Sequence, residues 1–264
     1  MPYDGWSWKN IQRHLGLYAF ASKFVNNKKM LDIACGCGYG TYYFMRKGAK
    51  SAVGGDISAE SIECAKNCYQ HAGLSYQLFD AEKLPFPNDY FDLIVSFETI
   101  EHLKNPRAFL SDCKRVLKHT GVFVCSTPNK EIEPVNTDGK PVNKYHIREF
   151  NVKEFIDLVN EYFKNSETYG YIKITETGRL RNKIEQTFKH WILSIPYSEK
   201  LVNVIGLFLR DYRLVRLIDL KNADFEKILN KIYYPYKLDA LSPTAKHTVV
   251  VSMCIKDTPI NQNE

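Results

Sequence analysis

In the stretch LDIACGCGYGT, residues 31–41, Gly36, Gly38 and Gly40 stand at alternate positions behind a short apolar run that carries an acid, Asp32. Glycines placed so let the backbone come close to a ligand, because they lack a Cβ and tolerate left-handed dihedrals. The spacing is G-x-G-x-G, and the position that would complete G-x-G-x-x-G is Thr41. A pyrophosphate site uses that third glycine for close helix packing. Further polar residues follow in order: Asp56, Asp80, and the run Glu98 to His102. An acid ending a second strand can accept both ribose hydroxyl protons, and one ending a third can meet an adenine amino group. Taken singly, either aspartate equally suits a helix or turn cap.

The elements that must position these residues alternate between short β-rich runs and helical segments, as in a parallel sheet covered on both faces. KMLDIACG is the expected first strand, TYYFMRKGA the next helix with Gly48 at its end, and SAVGGDIS the second strand. A helix from Ser58 to Gly73 follows, then strands YQLFDA and FDLIVSFE. NPRAFLSDCKRVLKHTG has Asn105 as cap, Pro106 in the first turn and Gly121 after the end, and GVFVCSTPN is the fifth strand. Ligands of open α/β sheets bind beyond the carboxyl ends of the strands, where the glycine loop and the acids would gather.

Composition agrees with a globular enzyme. The 264 residues are 44% hydrophobic and 25% charged, which excludes disordered and fibrous classes. MPYDGWSWKNIQRH has no apolar signal region, and no uncharged apolar run is long enough to span a bilayer, so a cytoplasmic protein is expected. Seven cysteines in such a chain argue for reduced thiols. Cys35, Cys37, Cys64 and Cys68 read better as small residues near the glycine loop and on a helix than as a metal set, so no metal is expected from them.

In these segments the chain resembles the class I S-adenosylmethionine-dependent methyltransferases, in register over roughly residues 10 to 160. LDIACGCGYG looks like their first motif, GGDIS like the second, and FDAEKLPFPNDYFDLIVSFETIEHLKNPRAFLSDCKRVLKHTGVFVCSTPN like the central block of the small-molecule group. The resemblance implies S-adenosylmethionine as cofactor, held by Asp32, Ala34, Gly36, Gly38 and Tyr39 around the first motif. Asp56 would hold the ribose with Ile57 beside it, Asp80 and Ala81 would border the adenine, and Ser96 and Phe97 would stand at the fourth strand's end. Many members have glycine where this chain has Ala34. NKYHIREFNVKEFIDLV and RHLGLYAF resemble, more narrowly, methyltransferases of bacterial capsule and lipopolysaccharide biosynthesis. The implied fold is a doubly wound Rossmann-like α/β sheet of seven strands. Its last strand, HTVVVSMCI, would run antiparallel between the fifth and the sixth, ETYGYIKIT.

A sulfonium methyl is already activated, so the protein's tasks are to hold the acceptor in line and to remove its proton. Histidine titrates near neutrality and suits the second task. His102, just past the fourth strand, and His146, in KYHIREF, are the candidate bases, and Glu98 or Glu101 would orient either one.

The chain is expected to be one methyltransferase domain, 1–264, with a helical acceptor or lid insertion at 175–245. From Arg179 to Lys231, eleven Lys and Arg face six Asp and Glu, so this segment carries +5 of the formal +6. Arg210, Arg213 and Arg216 recur at turn spacing. That face reads as a solvated surface or homodimer contact, as a site for an anionic acceptor, or as a membrane surface. The leading function is methylation of a small-molecule acceptor, a sugar or an activated precursor of a surface polysaccharide, with oxygen favoured over nitrogen. Nucleic acid is the alternative suggested by the basic balance, but the fourth strand ends in SFETIEH, not in an Asn/Asp-Pro-Pro-aromatic set that grips a flipped base. A nicotinamide oxidoreductase is disfavoured by the glycine spacing.

Overall fold

A computed structural model describes residues 8–131, 141–173, 233–237 and 249–256. Helix α1 (Trp8–Ala21) precedes five β-led units: β1 (Lys29–Ile33), α2 (Tyr39–Arg46), β2 (Ser51–Asp56), α3 (Ala59–Cys68), β3 (Leu74–Leu78), β4 (Phe91–Phe97), α4 (Pro106–Val116) and β5 (Leu117–Pro128). Then come α5 (Val152–Asn160), β6 (Asn165–Lys173), β7 (Tyr233–Lys237) and β8 (Val249–Ile255). The strands form one sheet in the order β3-β2-β1-β4-β5-β8-β6-β7. The pairs β3-β2, β2-β1, β1-β4 and β4-β5 are parallel, whereas β8 runs antiparallel to both β5 and β6.

Among the described residues the sheet therefore has eight strands, not the expected seven. The extra strand is β7, which pairs antiparallel with β6 at the sheet's edge. It lies inside the interval 175–245 expected to be helical; the rest of that interval, including Arg210, Arg213 and Arg216, lies outside the described residues.

Both faces of the sheet are covered, and the strand pattern explains how. Successive side chains of a strand point to opposite faces, and here they enter two separate cores. Met30, Leu93, Val95 and Val124 pack with α1, α2 and α3 residues such as Leu17, Phe44 and Ala65. Leu31, Ile94, Phe123 and Cys125 pack with Phe109 and Leu110 of α4 and Phe155 and Leu158 of α5. Burial on both faces makes β1 and β4 almost continuously apolar, as central parallel strands require. Among the described residues, no helix is long and apolar enough to cross a membrane.

Local signals set most boundaries. The Ser58 side chain accepts the Ser61 amide at the start of α3, and Asn105 accepts the Ala108 amide at the start of α4 with Pro106 next. Asn151 and Glu154 close a reciprocal capping box on α5. Two endings differ from expectation. Helix α3 stops at Cys68, five residues before Gly73, and Gly121 lies within β5 instead of ending α4. The ladder moves from Phe91↔Leu117 to Leu93↔Val122, so β5 carries extra residues that bulge out just before Val122. A Cβ on Gly121 would stand 2.6 Å from the Leu117 side chain, so glycine is required by that irregularity, not by a helix cap.

Candidate active site

At the carboxyl end of β1 the chain turns through Ala34 (φ 59°), Gly36 (φ 54°) and Gly38 (φ 81°), and α2 starts directly after Gly38. The left-handed angle at Ala34 accounts for the suitability of glycine there. The turn is held from β2. The Gly36 amide donates to Asp56 Oδ2 and the Ser58 amide to Asp56 Oδ1, both at 2.9 Å, and the Cys35 amide donates to the Gly55 carbonyl. Asp56 is buried at 9% exposure, so its carboxylate fixes the loop while keeping lone pairs for a further donor.

The three glycines serve different purposes. A Cβ on Gly36 would meet nothing within 4 Å, so that position borders open space beside Asp56. A Cβ on Gly38 would meet the Tyr76 ring at 2.6 Å and Ala65 Cβ at 2.7 Å, and one on Gly40 would meet the Tyr18 ring at 2.0 Å. Gly38 and Gly40 are thus small for the protein's own packing.

Asp32 is 1% exposed. It accepts a hydrogen bond from Thr41 Oγ1 at 2.7 Å and long ones, 3.4 Å, from the Tyr18 hydroxyl. Burial pushes its carboxyl up to about 7, against the two hydrogen bonds, with the charge of Asp56 adding to the rise. The folded chain therefore keeps this proton through a pH range in which an unfolded aspartate has lost it. A raised carboxyl favours the fold at low pH and loses that contribution as pH climbs from about 4 towards 7. Asp32→Asn is expected to remove this part of the pH dependence, read as a smaller fall in urea midpoint across that window than in the wild type. Equal falls in the two proteins would refute the assignment.

At the end of β4, Ser96 is buried and donates to the Ile33 carbonyl at 3.3 Å, while Phe97 packs edge-on to Tyr18 with ring centroids 5.0 Å apart. Glu98 follows with φ 50°. Its carboxylate does not turn to His102 or His146, where it was expected to act; it is taken by α1. Arg13 Nε stands 2.8 Å from Oε1, Arg13 Nη2 donates to Oε2 at 2.9 Å, and His14 Nε2 lies 2.7 Å from Oε2. Burial alone would raise the Glu98 carboxyl, but Arg13 and then His14 outweigh it and hold it at about 2. The Tyr39 hydroxyl lies 3.3 Å from His14 Nδ1. Arg13, His14 and Thr41 were missed as site residues, although His14 and Tyr18, four apart in RHLGLY, share one helix face.

Asp80 is exposed. Its Oδ1 accepts the Glu82 amide at 2.9 Å, so it also caps a turn, and Ala81 packs on the core below. Ile57, next to Asp56, is 73% exposed, an apolar surface standing free at the sheet's carboxyl edge.

A short 3-10 turn, Ile100–His102, carries Glu101 and His102. The segment bearing His146 is drawn onto it, because the Ile147 and Arg148 amides both donate to the Glu101 carbonyl. The two imidazoles meet edge to face with centroids 4.9 Å apart. His102 Nδ1 bonds the Tyr145 carbonyl at 2.9 Å, and His146 Nδ1 bonds Glu149 Oε1 at 3.0 Å. Burial holds the His102 imidazolium below its ordinary range, with His146 acting in the same direction and Tyr145 opposing. The Glu101 carboxyl is pushed well up by burial and by the nearby Glu98 charge.

The sheet order and its covering helices are those of an α/β methyltransferase fold. Residues 31–125 match the family model described as "Methyltransferase domain". A Mycolicibacterium smegmatis protein described as a "Probable S-adenosylmethionine-dependent methyltransferase" is 27% identical over 198 residues, 73% of this chain and 76% of that one. A ubiquinone biosynthesis O-methyltransferase of Parvibaculum lavamentivorans is 34% identical over 122 residues, 46% of this chain and 48% of its own. The match also spans about half, 53%, of two Mycobacterium tuberculosis relatives. The solved SAM-dependent methyltransferase from Thermotoga maritima shares the fold, with a TM-score of 0.56 at 16% identity over 95% of this chain and 93% of that one. The matched methyltransferase domain, with relatives so described, supports S-adenosylmethionine-dependent methyl transfer with S-adenosylmethionine as the cofactor.

Proposed function

We propose that the chain methylates a hydroxyl of a small-molecule acceptor in the cytoplasm. The acceptor class we favour is a sugar, or a nucleotide-linked or phosphorylated precursor, destined for a surface polysaccharide. The observation that carries the reading is the pairing, on one sheet edge, of a Cβ-free opening at Gly36 beside Asp56 with the His102 and His146 pair past β4. Similarity to O-methyltransferases of ubiquinone biosynthesis supports oxygen as the acceptor atom. The likeness of NKYHIREFNVKEFIDLV and RHLGLYAF to surface-polysaccharide methyltransferases supports the acceptor class, and the basic segment 179–231 supports an anionic one.

The residues present fit the cofactor. Gly36 leaves room for its methionine part, Asp56 offers lone pairs to the ribose, Ile57 gives an apolar face for the base, and Asp80 and Ala81 border it. When bound, S-adenosylmethionine supplies a methyl on positively charged sulfur. Asp32, Thr41 and Tyr18 are joined by buried hydrogen bonds behind the glycine loop, and the bond of Glu98 to Arg13 and His14 ties α1 to the carboxyl end of β4. A neutral imidazole of the histidine pair takes the acceptor's proton.

Asp56→Ala is expected to raise the dissociation constant for S-adenosylmethionine about ten- to hundredfold. Charge-assisted hydrogen bonds are each worth about 1.5 to 3 kcal/mol, and the Gly36 amide loses its anchor as well. Isothermal titration of the folded variant checks this, and unchanged affinity would remove Asp56 from the site. The acceptor is tested by incubating the protein and cofactor with nucleotide sugars, sugar phosphates and free sugars and searching by mass spectrometry for a methyl added. A methylated product appearing only with amines or nucleic acid would overturn the proposal.

A further inference from the structure

The histidine pair has a third member. Glu101, His102 and His146 each place one ligand-type atom within 4.8 Å of the other two, and among the described residues no other trio of His, Cys, Asp or Glu does so. The cysteines weighed as metal ligands from the sequence are elsewhere; Cys64 and Cys68 lie one turn apart on α3 with sulfurs 3.9 Å apart.

Two features make the trio more than polar neighbours. The first is the state of the imidazoles. A carbonyl can only accept, so the bond to Tyr145 puts the proton of His102 on Nδ1, and the bond to the Glu149 carboxylate does the same for His146. In its neutral form each ring then carries its lone pair on Nε2. Metal-binding histidines are oriented in this way, by an N–H donated to a carbonyl or carboxylate behind them. The His146 and Glu149 side chains are only 7% and 6% exposed, so this bond is itself well buried.

The second is the Glu101 carboxylate. The residue is 1% exposed, Oε2 accepts from Thr127 Oγ1 at 3.1 Å, and Oε1 has no hydrogen-bond partner among the described residues. A buried carboxyl oxygen without a hydrogen-bond partner has lost its water. A cation held with the two imidazoles would supply what it lacks.

We propose that Glu101, His102 and His146 bind one divalent transition-metal cation, as a two-histidine, one-carboxylate set with its other coordination positions open. Imidazole nitrogen with carboxylate oxygen suits zinc, cobalt, iron or manganese better than calcium or magnesium. Bonds of about 2.0 to 2.2 Å to such an ion put ligand atoms about 3 to 4 Å apart, against separations of up to 4.8 Å here.

The role of this cation, though not its binding, rests on the methyl-transfer reading. A hydroxyl coordinated there becomes more acidic and yields its proton to water. The oxygen's electron pair then forms the bond to the methyl carbon as the carbon–sulfur pair departs onto sulfur, leaving a neutral thioether. With the ion bound, the two imidazoles are ligands and no longer proton acceptors.

The test is a titration of chelator-treated, full-length protein with Co²⁺ in the absence of S-adenosylmethionine and acceptor, followed by visible absorption and by calorimetry. One equivalent is expected to bind with micromolar affinity or better, to show a nitrogen- and oxygen-ligand spectrum, and to be displaced by Zn²⁺. Glu101→Gln and His146→Ala are expected to weaken binding at least tenfold. Glu149→Gln, which reaches the ion only through His146, should weaken it about ten- to hundredfold with the circular dichroism spectrum unchanged. The proposal is overturned by a chain that binds no Co²⁺ saturably, by a sulfur-to-cobalt charge-transfer band, or by wild-type affinity in all three variants. Saturable binding at these residues in a protein that methylates no hydroxyl would uphold the site and refute only the acceptor reading.

Discussion

Gly38→Val is expected to destabilise the chain by about 3 kcal/mol or more and to abolish cofactor binding with it. Two effects add. The residue sits at φ 81°, where a side chain costs about 1 to 2 kcal/mol and a β-branched one fares worst. Its Cβ alone would overlap the Tyr76 ring at 2.6 Å and Ala65 Cβ at 2.7 Å, and overpacking of this kind costs about 1 to 3 kcal/mol. Tyr76 cannot easily withdraw, because its hydroxyl donates to the Gly38 carbonyl at 3.0 Å and its ring is buried. Against a total stability of about 5 to 15 kcal/mol, this is a large share. Gly36→Ala is the control. Its Cβ meets no protein atom, so it carries only the backbone strain, and the loss expected is of cofactor affinity with most of the stability retained. Denaturant midpoints and calorimetric affinities measured for both variants decide the matter. A Gly38→Val protein as stable as wild type would contradict the packing described for the loop, and full affinity in Gly36→Ala would show that the open space is not the cofactor's.

The contrast between these two glycines shows where sequence reasoning reaches its limit. That LDIACGCGYG turns tightly behind a strand is visible in the spacing, because only a ligand or a close approach demands so many residues without Cβ. Which glycine faces the ligand is not visible, since Gly38 is constrained by Tyr76 and Ala65, 38 and 27 positions further on. The same holds for Glu98. Its place at the end of β4 follows from the apolar run before it, but its partners come from α1, 84 and 85 residues earlier, and helix docking of that kind leaves no local signature. Local chemistry was legible where it was self-contained: Ser58 and Asn105 cap the helices that their positions suggest. It failed at Gly121, where a bulge in the β4 and β5 ladder, a property of two strands, uses a residue that one strand alone presents as a helix stop.

The histidine pair carries the prediction with the widest consequence. His102→Ala and His146→Ala are each expected to lower kcat on a hydroxyl acceptor by about 10² to 10⁴-fold, the range over which a positioned proton acceptor accelerates reactions. Affinity for S-adenosylmethionine should be unchanged, because neither ring hydrogen-bonds the Gly36 loop or Asp56. That split, a fall in kcat with cofactor binding intact, marks an interaction realised only in the transition state. Both routes to proton removal require the pair, and a chelator separates them. If an imidazole is the base, metal-free wild-type enzyme keeps its rate and only the substitutions lower it. If a cation held with Glu101 acidifies the acceptor, chelation lowers wild-type kcat to about the level of the variants, and added Zn²⁺ or Co²⁺ restores it to wild type but not to His146→Ala. An amine acceptor gives a third pattern, since a neutral amine attacks first and releases its proton to water afterwards, leaving both variants only mildly slowed. Should both variants keep more than about a tenth of the wild-type rate on a hydroxyl acceptor, neither histidine removes the proton. Holding the acceptor in line with the methyl would then account for the rate enhancement on its own.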